Sequence, residues 1–334
     1  MARAVLVSVA FGVLSVFLAL YFERGFVPGD AIVYLASGER LNAGHLLYAL
    51  SPGDRYIGVQ PPYWTVPTLS PPFMAVVFRP LAALPPDTGA YLWWFGTMTA
   101  ISACLLALVR RAPIRTSVAM LILAVPIVYE IGVGNVNAFL LAGTLATWYF
   151  ATRGHQGASG VVVAFMVMAK IWPIALAWWL IVRRDWTAVR AGLATGVVLV
   201  AVSVAGAGLA AHFTYLQVIS NTVSAGTSDL SLAGLARYLG VPSSLAAFLP
   251  WIVFLGCTGI AWLVRDRPAA SFCLCVVAMV LGSSVVNINS YALLLGTLAP
   301  AAWPIGKPVP DAPDAPPESP LASALVAPGA PTAS

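Results

Sequence analysis

In a chain of 334 residues that is mostly apolar, a few polar side chains interrupt the apolar runs. Glu130 stands close to Gly134-Asn135-Val136-Asn137. Lys170 lies alone between two apolar runs, Ser231 to Arg237 form a further cluster, and Asn287 and Asn289 come last. Asp30, Tyr34 and Arg79 lie in the stretch that follows the first apolar run. Their chemistry is complementary. A carboxylate such as Asp30 or Glu130 can take a proton from a hydroxyl. A fixed cation such as Lys170, Arg79 or Arg237 can hold a phosphate. The amides of Asn135, Asn137 and Asn289 can bind hydroxyl groups, and Tyr34 offers a ring to stack on. Ionisable groups at membrane depth are costly and mark functional sites by default.

The membrane itself is read from composition. The chain is 60% hydrophobic and 9% charged, with a mean hydropathy of +0.88. A soluble domain carries about 25% charged residues, and its surface must be covered by polar groups. The net charge of +5 is scattered in ones and twos, which excludes a nucleic-acid face. Cys104, Cys257, Cys273 and Cys275 all lie in apolar runs and read as packing residues. No Asp-x-Asp pair stands in the long loop, so neither a metal nor a cofactor is expected.

Ten apolar runs are candidate spans: 4–22, 89–109, 116–131, 136–152, 157–169, 173–182, 187–209, 244–264, 269–286 and 291–303. The first is longer than a cleavable leader's apolar region and reads as a retained helix. The pair 157–169 and 173–182 is too short to cross about 30 Å unaided, so it reads as a bent hairpin with Lys170 at its tip. Residues 71–84 read as an amphipathic or re-entrant helix on the outer face. This threading puts eleven of the seventeen basic residues on one side: Arg3, Arg110, Arg111, Arg115, Arg153, Arg183, Arg184, Arg190, Arg265, Arg267 and Lys307. That side is cytoplasmic by the positive-inside tendency, and both termini lie there. Every polar cluster named above then falls on the opposite, outer face of an inner membrane. The loop 23–88 is also outside. Its prolines and its aromatics Tyr56, Tyr63 and Trp64 argue for order. The Pro- and Ala-rich stretch 307–334 is expected to be disordered, and 1–306 to form one transmembrane domain.

Gly29-Asp30-Ala31-Ile32-Val33-Tyr34, followed by Gly44 and Tyr48, resembles the opening of glycosyltransferase family 87, the polyprenyl-phosphate-mannose-dependent mannosyltransferases of the GT-C class. Ser70-Pro71-Pro72-Phe73 is similar to the family's Tyr-Pro-Pro-Leu, and Gly134-Asn135-Val136-Asn137 to its Gly-Gln-Val-Asn. Lys170 before Pro173 resembles its Lys-Pro turn, and Ser231-Leu232-Ala233-Gly234 with Arg237 its Ser-Leu-x-Gly segment. The order holds over residues 1–305. The sequence departs where the family has Ser-Pro, then Trp and His. Here Ser283, Ser284, Asn287 and Asn289 stand instead.

The resemblance implies an all-α, polytopic bundle of about ten spans. It also implies sugar transfer, of mannose, from a polyprenyl monophosphate to a lipid or glycan acceptor at the outer face, inverting the anomeric centre. Asp30 would be the base and Lys170 would meet the leaving phosphate, with Arg79 and Arg237 as further phosphate ligands. Glu130 would position the acceptor or orient Lys170. Asn135, Asn137, Asn289 and Tyr34 would touch the sugar. The implied partners are the polyprenyl-phosphate sugar, the acceptor and membrane lipids. Plainer readings stand beside these. Asp30 serves as a helix N-cap. Lys170 snorkels. The asparagines join helices, and the tyrosines form an interfacial belt. Two rival functions are a transporter or lipid flippase, which would show repeats and midplane sites, and a catalytically inactive relative.

Overall fold

The computed structural model describes residues 2–23, 28–49, 68–85, 88–225, 230–283 and 285–305. All regular structure among them is helical. In chain order the helices are α1 (Ala2–Glu23), α2 (Gly29–Asn42), α3 (Pro72–Ala82), α4 (Thr88–Arg111), α5 (Pro113–Ile122), α6 (Ala124–Val133), α7 (Asn137–Thr152), α8 (Gln156–Ala169) and α9 (Ile174–Val182). Then follow α10 (Trp186–Ala207), α11 (Leu209–Ala225), α12 (Leu232–Tyr238), α13 (Ser243–Ala246), α14 (Leu249–Leu263) and α15 (Pro268–Leu281). A 3-10 helix (Ile288–Leu298) and α16 (Ala299–Ala302) end the series. The described residues up to Trp303 form one compact unit. The expected disorder of 307–334 lies outside the described residues, as do Tyr56, Tyr63 and Trp64 of the long loop.

Four helical segments are long and apolar enough to cross a membrane: Ala2–Glu23, Thr88–Arg111, Trp186–Ala207 and Ser243–Leu263. The pair α5–α6 makes a fifth if counted as one span. Exposed apolar side chains cover these helices, Leu193, Val197, Leu255 and Leu263 among them. Soluble proteins do not present so much contiguous apolar surface, and the chain is a multi-pass membrane protein. Several segments read as spans from the sequence are instead short or broken. Residues 116–131 bend by 74° between α5 and α6. Pro126 explains the break, because its ring would strike the carbonyl of residue 122 in a continuous helix. The last run is a 3-10 helix that gives way to α16 just ahead of Pro300.

The long loop is partly helical. α2 packs on α3, which also contacts α10. Phe73, Met74, Ala75 and Phe78 of α3 are buried, so α3 is built into the bundle. The α8–α9 pair is the expected hairpin. At its tip, Lys170 approaches Asn137 at the start of α7. At its base, an Arg183 guanidinium NH2 donates to Ala151 O near the end of α7 at 3.4 Å. α8 and α10 touch backbone to backbone, and a Cβ added at Gly160 would sit 1.9 Å from Ala188 O. The core runs through this contact to Trp148, Trp179 and Phe272, all fully buried.

Candidate active site

Asp30 is the second residue of α2. The helix begins at Gly29 after Pro28, so Asp30 is not its N-cap. Its carboxylate is left for another partner, and Asn135 Nδ2 donates to Asp30 Oδ2 at 2.6 Å. The turn that brings Asn135 there depends on Gly134, which closes α6 in the left-handed region at φ 66°, a conformation that costs glycine little. Trp93 and Trp94 of α4 pin this turn. Their indole N–H groups donate to Gly134 O at 2.9 Å and to Ile131 O at 2.7 Å.

From Asn135 the hydrogen bonds continue inward. Asn135 Oδ1 accepts from the Asn137 backbone N–H at 3.0 Å. Asn137 Oδ1 accepts from Lys170 Nζ at 3.0 Å, and Asn137 Nδ2 donates to Glu130 Oε2 at 3.2 Å. Glu130 is wholly buried. It also accepts from Ala138 N at 2.8 Å and from Asn289 Nδ2 at 2.9 Å. Three donors on one buried carboxylate satisfy what burial would otherwise penalise. Six residues read from the sequence thus form one network: Asp30, Glu130, Asn135, Asn137, Lys170 and Asn289.

Lys170 reaches the network because α8 stops at Ala169. Pro173 would collide with the carbonyl of residue 169 in a continuous helix, and Lys170 adopts an extended conformation between the two helices. A small cavity of about 10 Å³, room for about one water, lies beside it, bordered by Leu140, Trp172, Pro173, Met279, Ser283 and Ser290. Trp172 and Ser290 were not singled out from the sequence; Trp172 lies in the Lys-Pro turn, but nothing in the sequence marks Ser290.

Asp30 keeps partial exposure, yet its surroundings are poor in water. Burial raises its carboxyl above the usual aspartate range, offset in part by the Asn135 hydrogen bond and then by the charge of Lys170. Such a group is a better base than a solvated aspartate.

Tyr34 is buried one turn along α2 from Asp30. It packs against Phe78 and Trp93, and its hydroxyl contacts the Val136 backbone and the Ser70 side chain. It therefore braces the turn that holds Asn135. Arg79 is not part of the network. Its Nε donates to Asn42 Oδ1 at 2.9 Å and its guanidinium NH1 to Gly206 O at 3.2 Å, joining α2 and α3 to the end of α10. Arg237 lies in the last turn of α12. The segment before that helix is tied to the 3-10 helix by the Tyr291 hydroxyl, which donates to Leu230 O at 2.6 Å.

The comparisons agree with these motifs. The sequence pattern of Glycosyltransferase family 87 matches residues 69–286, well over half of the chain. That stretch includes Arg79, Glu130, Asn135, Asn137, Lys170 and Arg237, while Asp30, Tyr34 and Asn289 lie outside it. A polyprenol-phosphate-mannose-dependent alpha-(1-2)-phosphatidylinositol pentamannoside mannosyltransferase of Mycolicibacterium smegmatis is 26% identical over 250 residues. The alignment covers 71% of this chain and 58% of that protein, so the chain spans little more than half of its length. No solved structure gives a significant match.

Proposed function

The chain belongs to glycosyltransferase family 87, and from that premise we propose that it transfers a sugar, mannose, from a polyprenyl monophosphate to a lipid or glycan acceptor. The observation that carries the reading is the hydrogen-bonded path from Asp30 through Asn135 and Asn137 to Lys170. It sets a poorly solvated carboxylate and an ammonium on one network beside a cavity. The donor named for the mycobacterial relative supplies the substrate class.

In this reading the acceptor hydroxyl attacks the anomeric carbon and gives its proton to Asp30. The bond from that carbon to the phosphate oxygen breaks, and the electron pair leaves with the polyprenyl phosphate. A single displacement inverts the anomeric centre. Lys170 faces the charge that grows on the phosphate, where scarce water strengthens the attraction. Trp172, Ser283 and Ser290 border the space beside that ammonium. Glu130 is not a base here. With three donors on its carboxylate, it holds Asn137 so that Oδ1 faces Lys170. Arg79, with its bonds to Asn42 and Gly206, braces α3 and does not meet the phosphate.

The two ends of the bundle support a sidedness for this reading. Arg3, Arg111 and Arg115 gather at the end away from Asp30, and Arg183 at the base of the hairpin faces that same way. The positive-inside tendency makes that end cytoplasmic and the site extracytoplasmic. The test is Asp30→Asn in proteoliposomes supplied with polyprenyl-phosphate mannose. The variant keeps an acceptor for Asn135, so it should fold. Transfer should fall by roughly 10²–10⁴-fold, the usual contribution of a positioned base. Wild-type transfer by the folded variant would end the assignment.

A further inference from the structure

At the end of the bundle opposite Asp30 and Lys170, three arginines from three helices meet in one open groove. Arg3 stands in the first turn of α1, Arg111 ends α4, and Arg115 stands in the first turn of α5. The groove measures about 410 Å³, a volume typical of sites for small ligands. None of the described residues lining it is a carboxylate. Ala112 and Pro113 border it as well, so the amides of the first turn of α5 open beside it, and no side chain caps them. An uncapped helix start adds partial positive charge to that of the guanidiniums.

We infer that this groove binds the phosphate headgroup of an anionic membrane phospholipid. Guanidinium groups match phosphate oxygens in pairs, with a fixed fork. The same helices supply surface for the acyl chains. Val5 and Val9 of α1 and Ile114, Val118 and Ile122 of α5 are all exposed. A soluble phosphate would use the arginines and gain nothing from that apolar surface, whereas a phospholipid uses both. Basic pockets between membrane helices are a recognised form of headgroup site. The site shares no residue with the sugar-transfer network, so it stands or falls independently of the proposed reaction.

The test uses the full chain in detergent and native mass spectrometry, with added phosphatidylglycerol or phosphatidylcholine. Phosphatidylglycerol should be retained in preference to phosphatidylcholine. Arg3→Gln and Arg115→Gln should each weaken retention about fivefold, and the pair together about 25-fold. Should the double Gln variant melt early, Arg3→Lys with Arg115→Lys takes its place; it keeps the charges, loses the forks, and should still retain less lipid than wild type. Equal retention of the two lipids, or retention unchanged in these variants, would overturn the inference. Displacement by millimolar inorganic phosphate would overturn it too, by making the occupant a free anion.

Discussion

At the scale of single residues, the site turns on the two ends of one amide. Asn137 gives its N–H to Glu130 and its oxygen to Lys170, so the acid fixes which way the amide faces. Glu130→Gln should disturb this without changing side-chain volume. Its new NH2 would meet the NH2 groups of Asn137 and Asn289, and an Asn137 turned to satisfy it would aim an N–H at the ammonium. A buried donor left unmet costs about 1–3 kcal/mol, or roughly 5- to 150-fold in transfer rate. Adding Asn137→Asp to that variant returns an acceptor to both neighbours and should recover much of the loss. A purely structural role for Glu130 would show no such rescue when kcat/KM of the three proteins is compared. Asp30 makes a separate prediction in pH. The base must be ionised to act, and its carboxyl titrates above the usual aspartate range. Transfer should therefore rise with pH through that raised value and fall away on the acid side. Asp30→Asn should flatten this limb. The polar residues themselves were legible in the sequence, because a charge or an amide in an apolar run stands out. Their partners were not. Nothing in the sequence says that Arg79 would turn to Asn42 and Gly206, or that Pro28 would leave Asp30 inside the first turn of α2.

At the scale of elements, proline and glycine decide where the backbone turns and how closely helices approach. Pro173 ends α8 and exposes Lys170, and Pro126 bends the α5–α6 pair. The hairpin was legible because a lone lysine and a proline interrupt two runs too short to span. The 74° bend was not, since an apolar stretch of the right length looks continuous when only hydropathy is read. The contact between α8 and α10 offers a sharp test. At Gly160 an added Cβ would lie 1.9 Å from Ala188 O, a backbone atom that cannot move aside alone. At Gly157, earlier on the same helix, the nearest atom would be 3.9 Å away. Gly160→Leu should therefore lower the melting temperature in detergent markedly, by the roughly 1–3 kcal/mol of an overpacked contact. Gly157→Ala should leave it unchanged or raise it slightly, as alanine favours the helix. Equal melting of the two variants would mean that the helices do not meet at Gly160.

At the scale of the whole molecule, the arrangement separates two kinds of charge. Asp30, Glu130 and Lys170 are gathered at one end on a shared network. Arg3, Arg111 and Arg115 are gathered at the other, and α7 with the α8–α9 hairpin links the two ends. The all-helical class and this polarity follow from the distribution of apolar and basic residues. The number of spans does not, because α8, α9 and α15 are shorter than the roughly 20 residues that cross a bilayer unaided. The polarity fixes what a sidedness experiment should find. Leu239 is exposed after α12, the helix joined to the site end through Tyr291 and Leu230. Arg153 follows α7 at the base of the hairpin. The native cysteines lie within apolar helices and are wholly or partly buried, so they give little background. In intact cells a membrane-impermeant maleimide should label Leu239→Cys and spare Arg153→Cys until the membrane is opened. The reverse pattern would place the carboxylate and the ammonium at the cytoplasmic face. Labelling of both before permeabilisation would mean that the two ends are not separated by a bilayer, and the outward-facing reaction would lose its basis.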